Sequence, residues 1–83
     1  MVQYVYPAVF YVEEDSVTAV IPDLNIFTDG TSIEEAYLFI KDYLRVYCTY
    51  ATKYDLDIET PSTIEAIKEK YAPNMVMIVD TIV

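Results

Sequence analysis

Three aspartates stand where carboxylates could meet around a metal ion. Asp23, Asp29 and Asp80 lie at or near the ends of predicted strands, which is where two-metal nucleases hold their carboxylates. Such a site also needs basic residues that hold the nucleic acid, and the few basic residues of this chain fall mostly in predicted helices. A residual metal-dependent nuclease is therefore one alternative function.

Other catalytic chemistry has fewer candidates. The chain has no histidine and a single cysteine, Cys48, so it lacks the usual general base and any Cys/His metal set. Its serines are typical of turn and cap positions, and the adjacent acids 13–15 are typical of a solvated hairpin turn. Gly30 is the only glycine, which excludes a glycine-rich phosphate loop. We therefore expect no catalytic residue, no metal, no cofactor and no enzyme activity.

The first part of the chain predicts three strands. β-Branched and aromatic residues dominate three stretches, residues 2–12, 17–21 and 24–28. Because Pro7 cannot donate a ladder hydrogen bond, the first strand should have an unpaired side, at an edge or a bulge, near that residue. Asp29 and Gly30 should form a tight turn after the third strand.

The second part predicts two helices and a final strand. Ser32 with Glu35 has the spacing of a capping box and predicts a long helix over residues 33–54. Ser62 with Glu65 repeats that spacing before a short helix over residues 63–71. The almost continuous apolar run 75–83 favours a buried fourth strand. The predicted fold class is α+β, with a three-strand antiparallel meander, two helices and a final strand that joins the sheet (βββααβ).

The long helix has an apolar arc of about 200°, wider than packing on one sheet requires. One sector is formed by Ile33, Ala36, Tyr37, Ile40, Leu44, Tyr47, Cys48 and Ala51. The neighbouring sector is formed by Phe39, Tyr43, Val46 and Tyr50. Two interpretations remain open for this second sector: core beneath the second helix, or an interface with a second copy or a partner.

Composition and charge indicate a small acidic protein whose surplus apolar surface a second copy or a partner would cover; whether the acidity attracts a basic partner or only keeps this surface soluble stays open. The 83 residues suit a single domain, and the 54% apolar content, with nine tyrosines, predicts a core with apolar surface left over. The formal charge of -9 repels phosphate backbones and anionic lipids and attracts basic surfaces. A single cysteine, the absence of an export signal and the absence of a membrane segment predict a cytoplasmic location.

Several short motifs occur in an order that resembles the HicB antitoxins. They are Tyr6-Pro7-Ala8-Val9-Phe10, Val17-Thr18-Ala19-Val20-Ile21-Pro22-Asp23-Leu24, Phe27-Thr28-Asp29-Gly30-Thr31, Ile33-Glu34-Glu35-Ala36 and Ile58-Glu59-Thr60-Pro61-Ser62. The resemblance covers about residues 4–65 and, more weakly, the last strand. It departs from the family at residues 25–27, where Asn-Ile-Phe replaces a Pro-Gly-Cys type of turn and predicts a plain strand entry.

The resemblance implies a partial RNase-H-like fold that has lost nuclease function and blocks a small, basic, mRNA-cleaving HicA toxin. A single HicB-like domain would then occupy residues 1–83. Many relatives also carry a DNA-binding domain, but no basic segment here suits one, so we expect no direct nucleic-acid binding by these residues.

Two sets of residues are candidates for contacts. Acids expected to bind the basic toxin are Asp23, Asp29, Glu34, Glu35 and Asp42. Residues expected to form an oligomer interface, in a dimer or tetramer, are Phe39, Tyr43, Val46 and Tyr50. The alternative functions are an orphan homo-oligomerisation domain without a toxin and the residual nuclease.

Overall fold

Four strands and two helices make up the fold. A computed structural model describes residues 1–83. The elements are β1 (Gln3–Val12), β2 (Val17–Ile21), β3 (Ile26–Gly30), α1 (Ile33–Lys53), α2 (Ile64–Tyr71) and β4 (Met75–Ile82). All neighbouring strands are antiparallel, in the order β3-β2-β1-β4. The predicted α+β class and the βββααβ order are confirmed, with β1, β2 and β3 forming the meander.

The final strand lies at an edge of the sheet, so its prediction as a buried strand was wrong. β4 pairs with β1 alone, and Met75, Ile78 and Ile82 are exposed. The central strand is β1. Pro7 is compatible with this place because the β1–β2 pairing includes only residues from Val9 onward, which leaves Pro7 paired on the β4 side alone.

The two helices cover opposite faces of the sheet. Tyr6, Ala8 and Phe10 of β1 share a buried cluster with α1, whereas Val9 packs with Ile67 of α2 in a second cluster. Successive residues of a strand point to opposite faces, so this alternation places α1 and α2 on different sides. The helices make no contact with each other.

The tight turn in this part of the chain precedes β3, whereas the sequence predicted a turn after it. Residues 22–25 form the turn, with Asn25 in the left-handed region at φ 55°, a conformation that asparagine tolerates better than most residues. The predicted plain strand entry at residues 25–27 is therefore correct for Ile26 and Phe27, which begin β3, and wrong for Asn25, which ends the turn.

Gly30 belongs to β3 and has no positive φ, so the predicted turn at Asp29 and Gly30 was wrong as well. A Cβ atom built on Gly30 would lie 2.7 Å from the backbone nitrogen of Ala36. The glycine is needed because the first turn of α1 packs directly on β3.

Side-chain caps begin both helices. Ser32 caps α1 as predicted, since its Oγ accepts a hydrogen bond from the Glu35 N–H at 3.1 Å. The cap of α2 is Thr63, whose Oγ1 accepts from the Ala66 N–H at 3.2 Å. The predicted Ser62 cap was wrong by one residue, because the Ser62 side chain is engaged by Asp23.

Candidate functional site

The carboxylate of Asp23 holds the connector between the helices. It accepts hydrogen bonds from the backbone N–H of Ser62 at 2.8 Å and from the Ser62 hydroxyl at 2.6 Å. These bonds tie residue 62 to the turn between β2 and β3, at the end of the sheet where the chain passes from the α1 side to the α2 side. Asp23 therefore has a structural role in the fold.

Two more of the predicted contact acids are engaged within the chain. Asp29 accepts a hydrogen bond from the Thr18 hydroxyl at 2.6 Å, across the β2–β3 pair. Glu35 accepts from the Thr31 backbone N–H at 2.9 Å and from the Thr31 hydroxyl at 3.1 Å, which completes the start of α1. Both carboxylates stabilise local structure whether or not a partner is present.

The remaining two predicted contact acids, Glu34 and Asp42, are exposed on α1 and make no side-chain hydrogen bond or ion pair. Asp42 lies one helical turn from Phe39 and from Val46. Glu34 borders a groove next to β4. The five acids do not form one acidic site, but Asp42 stands beside an apolar surface.

The three aspartates considered for a metal site are not brought together. Asp23 and Asp29 have the partners described above, and Asp80 pairs with Lys41 Nζ at 3.3 Å and with Gln3 Nε2 at 3.2 Å. The hydrogen bond from Lys41, followed by that from Gln3, lowers the pKa of Asp80. No group of three or more Asp, Glu or Cys side chains is placed to hold a metal ion. The convergent carboxylates that a two-metal site needs are therefore not formed by these residues.

Two buried groups are kept protonated by their surroundings. Burial raises the pKa of the Cys48 thiol, which lies in the core under α1. Burial, followed by the influence of Cys48, raises the pKa of Tyr6 to about 12, and its hydroxyl donates a hydrogen bond to the carbonyl of Glu59 in the connector. A protonated, enclosed thiol is a poor nucleophile, and both side chains serve packing.

An apolar stripe on α1 remains uncovered. We call Phe39, Tyr43, Val46 and Tyr50 the outer stripe; their exposed fractions are 44%, 44%, 59% and 59%. Because α2 lies on the other face of the sheet, it cannot cover these residues, and the interpretation of this sector as core is wrong. The predicted interface residues are thus available at the surface.

The outer stripe continues beyond the end of α1. The rings of Tyr50 and Tyr54 lie 4.7 Å apart between centroids, and Leu56 of the connector is exposed beside them. A concavity of about 300 Å³ is bordered there by Tyr43, Val46, Tyr47, Tyr50, Ala51, Leu56 and Asp57. Aromatic side chains beside a concavity are a surface on which another protein can pack, with one of its side chains in the concavity.

A second apolar surface follows the free edge of β4 and was not predicted from the sequence. A groove of about 590 Å³ runs between the start of α1 and β4 and is lined by Ile33, Glu34, Tyr37, Leu38, Met77 and Ile78. The apolar run 75–83 indicated a strand, but apolar content alone does not distinguish a buried strand from an exposed edge. Only the strand order revealed the surface.

Comparison with known protein families, with curated proteins and with solved structures gives no match to this chain. Neither helix combines the length and the apolar character needed to cross a membrane. The outer stripe and the β4 edge are accordingly the features on which a functional proposal can be built.

Proposed function

We propose that this chain is a protein-binding module of the HicB antitoxin type, with a partial RNase-H-like arrangement of its sheet and helices. Its partner would be a small, basic, mRNA-cleaving toxin of the HicA type, whose RNA site the module occludes. The observation that carries the proposal is the outer stripe: four apolar side chains in register along one helix, exposed, with no element of the chain to cover them.

Exposed aromatic residues in a contiguous row are typical of protein interfaces. Tyrosine and phenylalanine bury a large area at a low cost in side-chain entropy, and they are enriched at the centres of binding sites. In this chain Tyr43 and Tyr50 lie in the row itself and Tyr54 extends it. Covering the row would remove several hundred Å² of apolar surface from water, about the size of patch that marks an interaction site.

Charge supports a basic partner. The chain carries a formal charge of -9, so it attracts a cationic protein over roughly a Debye length, about 8 Å at physiological ionic strength. Asp42, which is free of partners within the chain, stands at the border of the outer stripe and is suited to meet a basic side chain there. Among the predicted acids, we retain Asp42 and Glu34 as contact candidates and assign Asp23, Asp29 and Glu35 to the fold.

Homo-oligomerisation through the outer stripe is the second candidate function. The stripe residues follow one another at intervals of four, three and four positions, the spacing with which helices pack side by side in coiled coils. A second copy of α1 could therefore occupy the same surface. In that case the outer stripe would serve self-assembly and no toxin would be involved.

The partner can be sought by affinity capture with the tagged chain from lysate of its own cells, over a salt series. We expect a small basic protein to be retained by the wild-type chain and to elute as salt rises. The Val46→Asp variant, which places a charge in the outer stripe, should retain at least tenfold less. Thr52→Asp is the matched control, because it adds the same charge at an exposed position of α1 that faces away from the stripe.

The recovered protein must then be purified and assayed for cleavage of mRNA with and without the chain. Inhibition of cleavage at stoichiometric amounts of the chain is the expected result, with loss of inhibition in Val46→Asp. A recovered protein that does not cleave RNA, or one inhibited equally by both variants, would contradict the proposal. Recovery of the chain alone, together with Val46→Asp-sensitive dimers in sedimentation, would favour the second candidate.

A further inference from the structure

The open edge of β4 presents a defined set of backbone groups. Val2 and Val83 exchange two hydrogen bonds, N–H to carbonyl in both directions, at 2.8 and 2.9 Å. In an antiparallel pair, residues that exchange two bonds alternate with residues whose N–H and C=O groups point away from the partner strand. Counting from Val83 along the β1–β4 register, the groups of Ile82, Asp80, Ile78 and Val76 face outward.

The position of Pro7 agrees with this assignment of the outward-facing groups of β4. Pro7 stands opposite Ile78 and has no N–H to donate, so this pair cannot exchange two hydrogen bonds. In addition, the Tyr37 hydroxyl donates a long hydrogen bond to the Ile78 carbonyl at 3.4 Å from the side of α1, which agrees with a carbonyl that faces away from β1. The centre of β4 therefore offers a free donor and a weakly engaged acceptor.

The β4 edge lacks most of the features with which proteins prevent strands from pairing with other chains. Such features are short length, lysine or proline in the strand, bulges and inward-pointing charges. β4 has eight residues, contains neither lysine nor proline, and pairs with β1 in an unbroken register of eight pairs without a bulge. Its one charge, Asp80, is neutralised by Lys41 of the same chain.

We propose that a second copy of this chain pairs with β4, strand against strand in antiparallel orientation about a two-fold axis, so that two four-stranded sheets become one continuous sheet. In this arrangement, a β4 residue whose backbone N–H and C=O groups point outward must stand opposite a residue of the same kind in the second copy. The two-fold axis therefore passes beside a residue of β4 and not between two residues. The proposal does not depend on the proposed function.

Charge permits a second copy at this edge and disfavours a basic partner there. A copy carrying a charge of -9 can approach closely only where the surface carries little charge; along β4 the charge of Asp80 is offset by Lys41, and Glu34 is the one uncompensated charge that lines the groove. A basic partner would instead be drawn to acidic surface, of which this edge offers little. The strand is also self-complementary, because apolar side chains dominate both of its faces.

The position of Asp80 selects the register. If the axis passes beside Ile78, the two copies of Ile78 stand opposite each other and each Val76 stands opposite an Asp80. This register allows about six hydrogen bonds between the strands. It also keeps the two Asp80 residues about 13 Å apart along the strands. An axis beside Val79 would bring the two carboxylates within about 7 Å along the strands, and an axis beside Met77 would pair fewer residues.

The outer stripe stays accessible in such a dimer. At 100° per residue, the stripe residues of α1 lie on the flank opposite to Tyr37 and Lys41, which face β4. The dimer therefore uses one flank of the molecule and leaves the other flank of each copy free.

Disulfide trapping tests the register directly. In Ile78→Cys the two introduced residues would stand opposite each other with Cα atoms about 5.5 Å apart, within the range that a disulfide spans. Ile82→Cys is the matched control, because it is exposed on the same face of the same strand but would be separated from its copy by about 26 Å. Val46→Cys reports association through the outer stripe. Cys48 is present in every variant and is buried.

Under mild oxidation we expect more than half of Ile78→Cys to become a covalent dimer, with Ile82→Cys, Val46→Cys and the wild-type chain remaining uncrosslinked. Sedimentation should show a wild-type dimer that Ile78→Pro weakens at least tenfold. Proline at this position removes only an outward-facing N–H and leaves the pairing with β1 intact, which circular dichroism will verify. A wild-type monomer at high concentration, or crosslinking at Val46→Cys without crosslinking at Ile78→Cys, would overturn the proposal.

Discussion

The two edges of the sheet differ in how they are terminated. β3, at one edge, has five residues, carries Asp29 bound to Thr18, and receives the first turn of α1 directly on Gly30. β4, at the other edge, has eight residues, no bulge and one neutralised charge. We call β3, on which the first turn of α1 packs, the closed edge, and β4 the open edge. α1 contacts both edge strands but packs closely on β3, which leaves the longer edge of β4 for the proposed pairing with a second copy.

The largest loss of stability should come from a substitution at the closed edge. We expect Gly30→Ala to lower the free energy of unfolding by about 1–3 kcal/mol, because the new Cβ would meet the backbone of α1 at 2.7 Å and one of the two elements must shift. At the open edge, Ile82→Ala should change the free energy of unfolding by less than about 1 kcal/mol, since this side chain is 57% exposed. Urea unfolding at low protein concentration measures both values. Equal losses from the two substitutions would contradict the expected difference in stability between the two edges.

An intermediate loss of stability is expected from ionisation of Tyr6. This residue of β1 holds the connector between the helices through its hydrogen bond to Glu59. Its pKa in the folded chain is about 12, above the ordinary value of 10, so the folded state holds the phenolic proton more tightly than the unfolded state. The stabilisation is fully present below pH 10 and is lost as the pH rises through 12. At pH 11 the free energy of unfolding should have fallen by about 1 kcal/mol on account of this group. Unfolding measured between pH 9 and pH 11 tests this expectation.

Tyr6→Phe is the control for the alkaline effect. It removes the ionisable group and the hydrogen bond to Glu59 while keeping the ring in the core. Its stability should be lower at pH 9 by about 1 kcal/mol and should fall less steeply toward pH 11. If both proteins lose stability in parallel, other tyrosines cause the alkaline loss.

The smallest change in stability should come from removal of the ion pair at the open edge. Lys41 and Asp80 are both substantially exposed, and exposed pairs contribute little to stability. We expect Lys41→Gln to leave the unfolding midpoint nearly unchanged but to raise the pKa of Asp80 toward its ordinary value, because Lys41 is the main cause of the lowered pKa. Titration of the Asp80 carboxyl carbon by NMR measures the change. An unchanged pKa would show that Lys41 does not neutralise the edge.

Local patterns in the sequence were sufficient for the elements and for one interface candidate. The capping residues Ser32 and Glu35 determine where α1 begins, and β-branched runs determine the strands, because caps and strand propensities act over a few residues. The angular positions of Phe39, Tyr43, Val46 and Tyr50 around a helix identified an apolar stripe on α1 beside its sheet-facing side. These features depend on neighbours along the chain: the order of the elements was predicted correctly, and the use of the stripe as an interface stays a prediction.

The tertiary structure decided what those local patterns left open. Whether Val46 lies in the core depends on the face of the sheet to which α2 packs, and whether β4 is buried depends on the strand beside which it pairs. Likewise, Gly30 is required by a helix that arrives later in the chain, and the carboxylate of Asp23 is occupied by Ser62 from far along the sequence. Contacts between distant residues set all four outcomes, and a linear pattern carries no information about which distant segments meet.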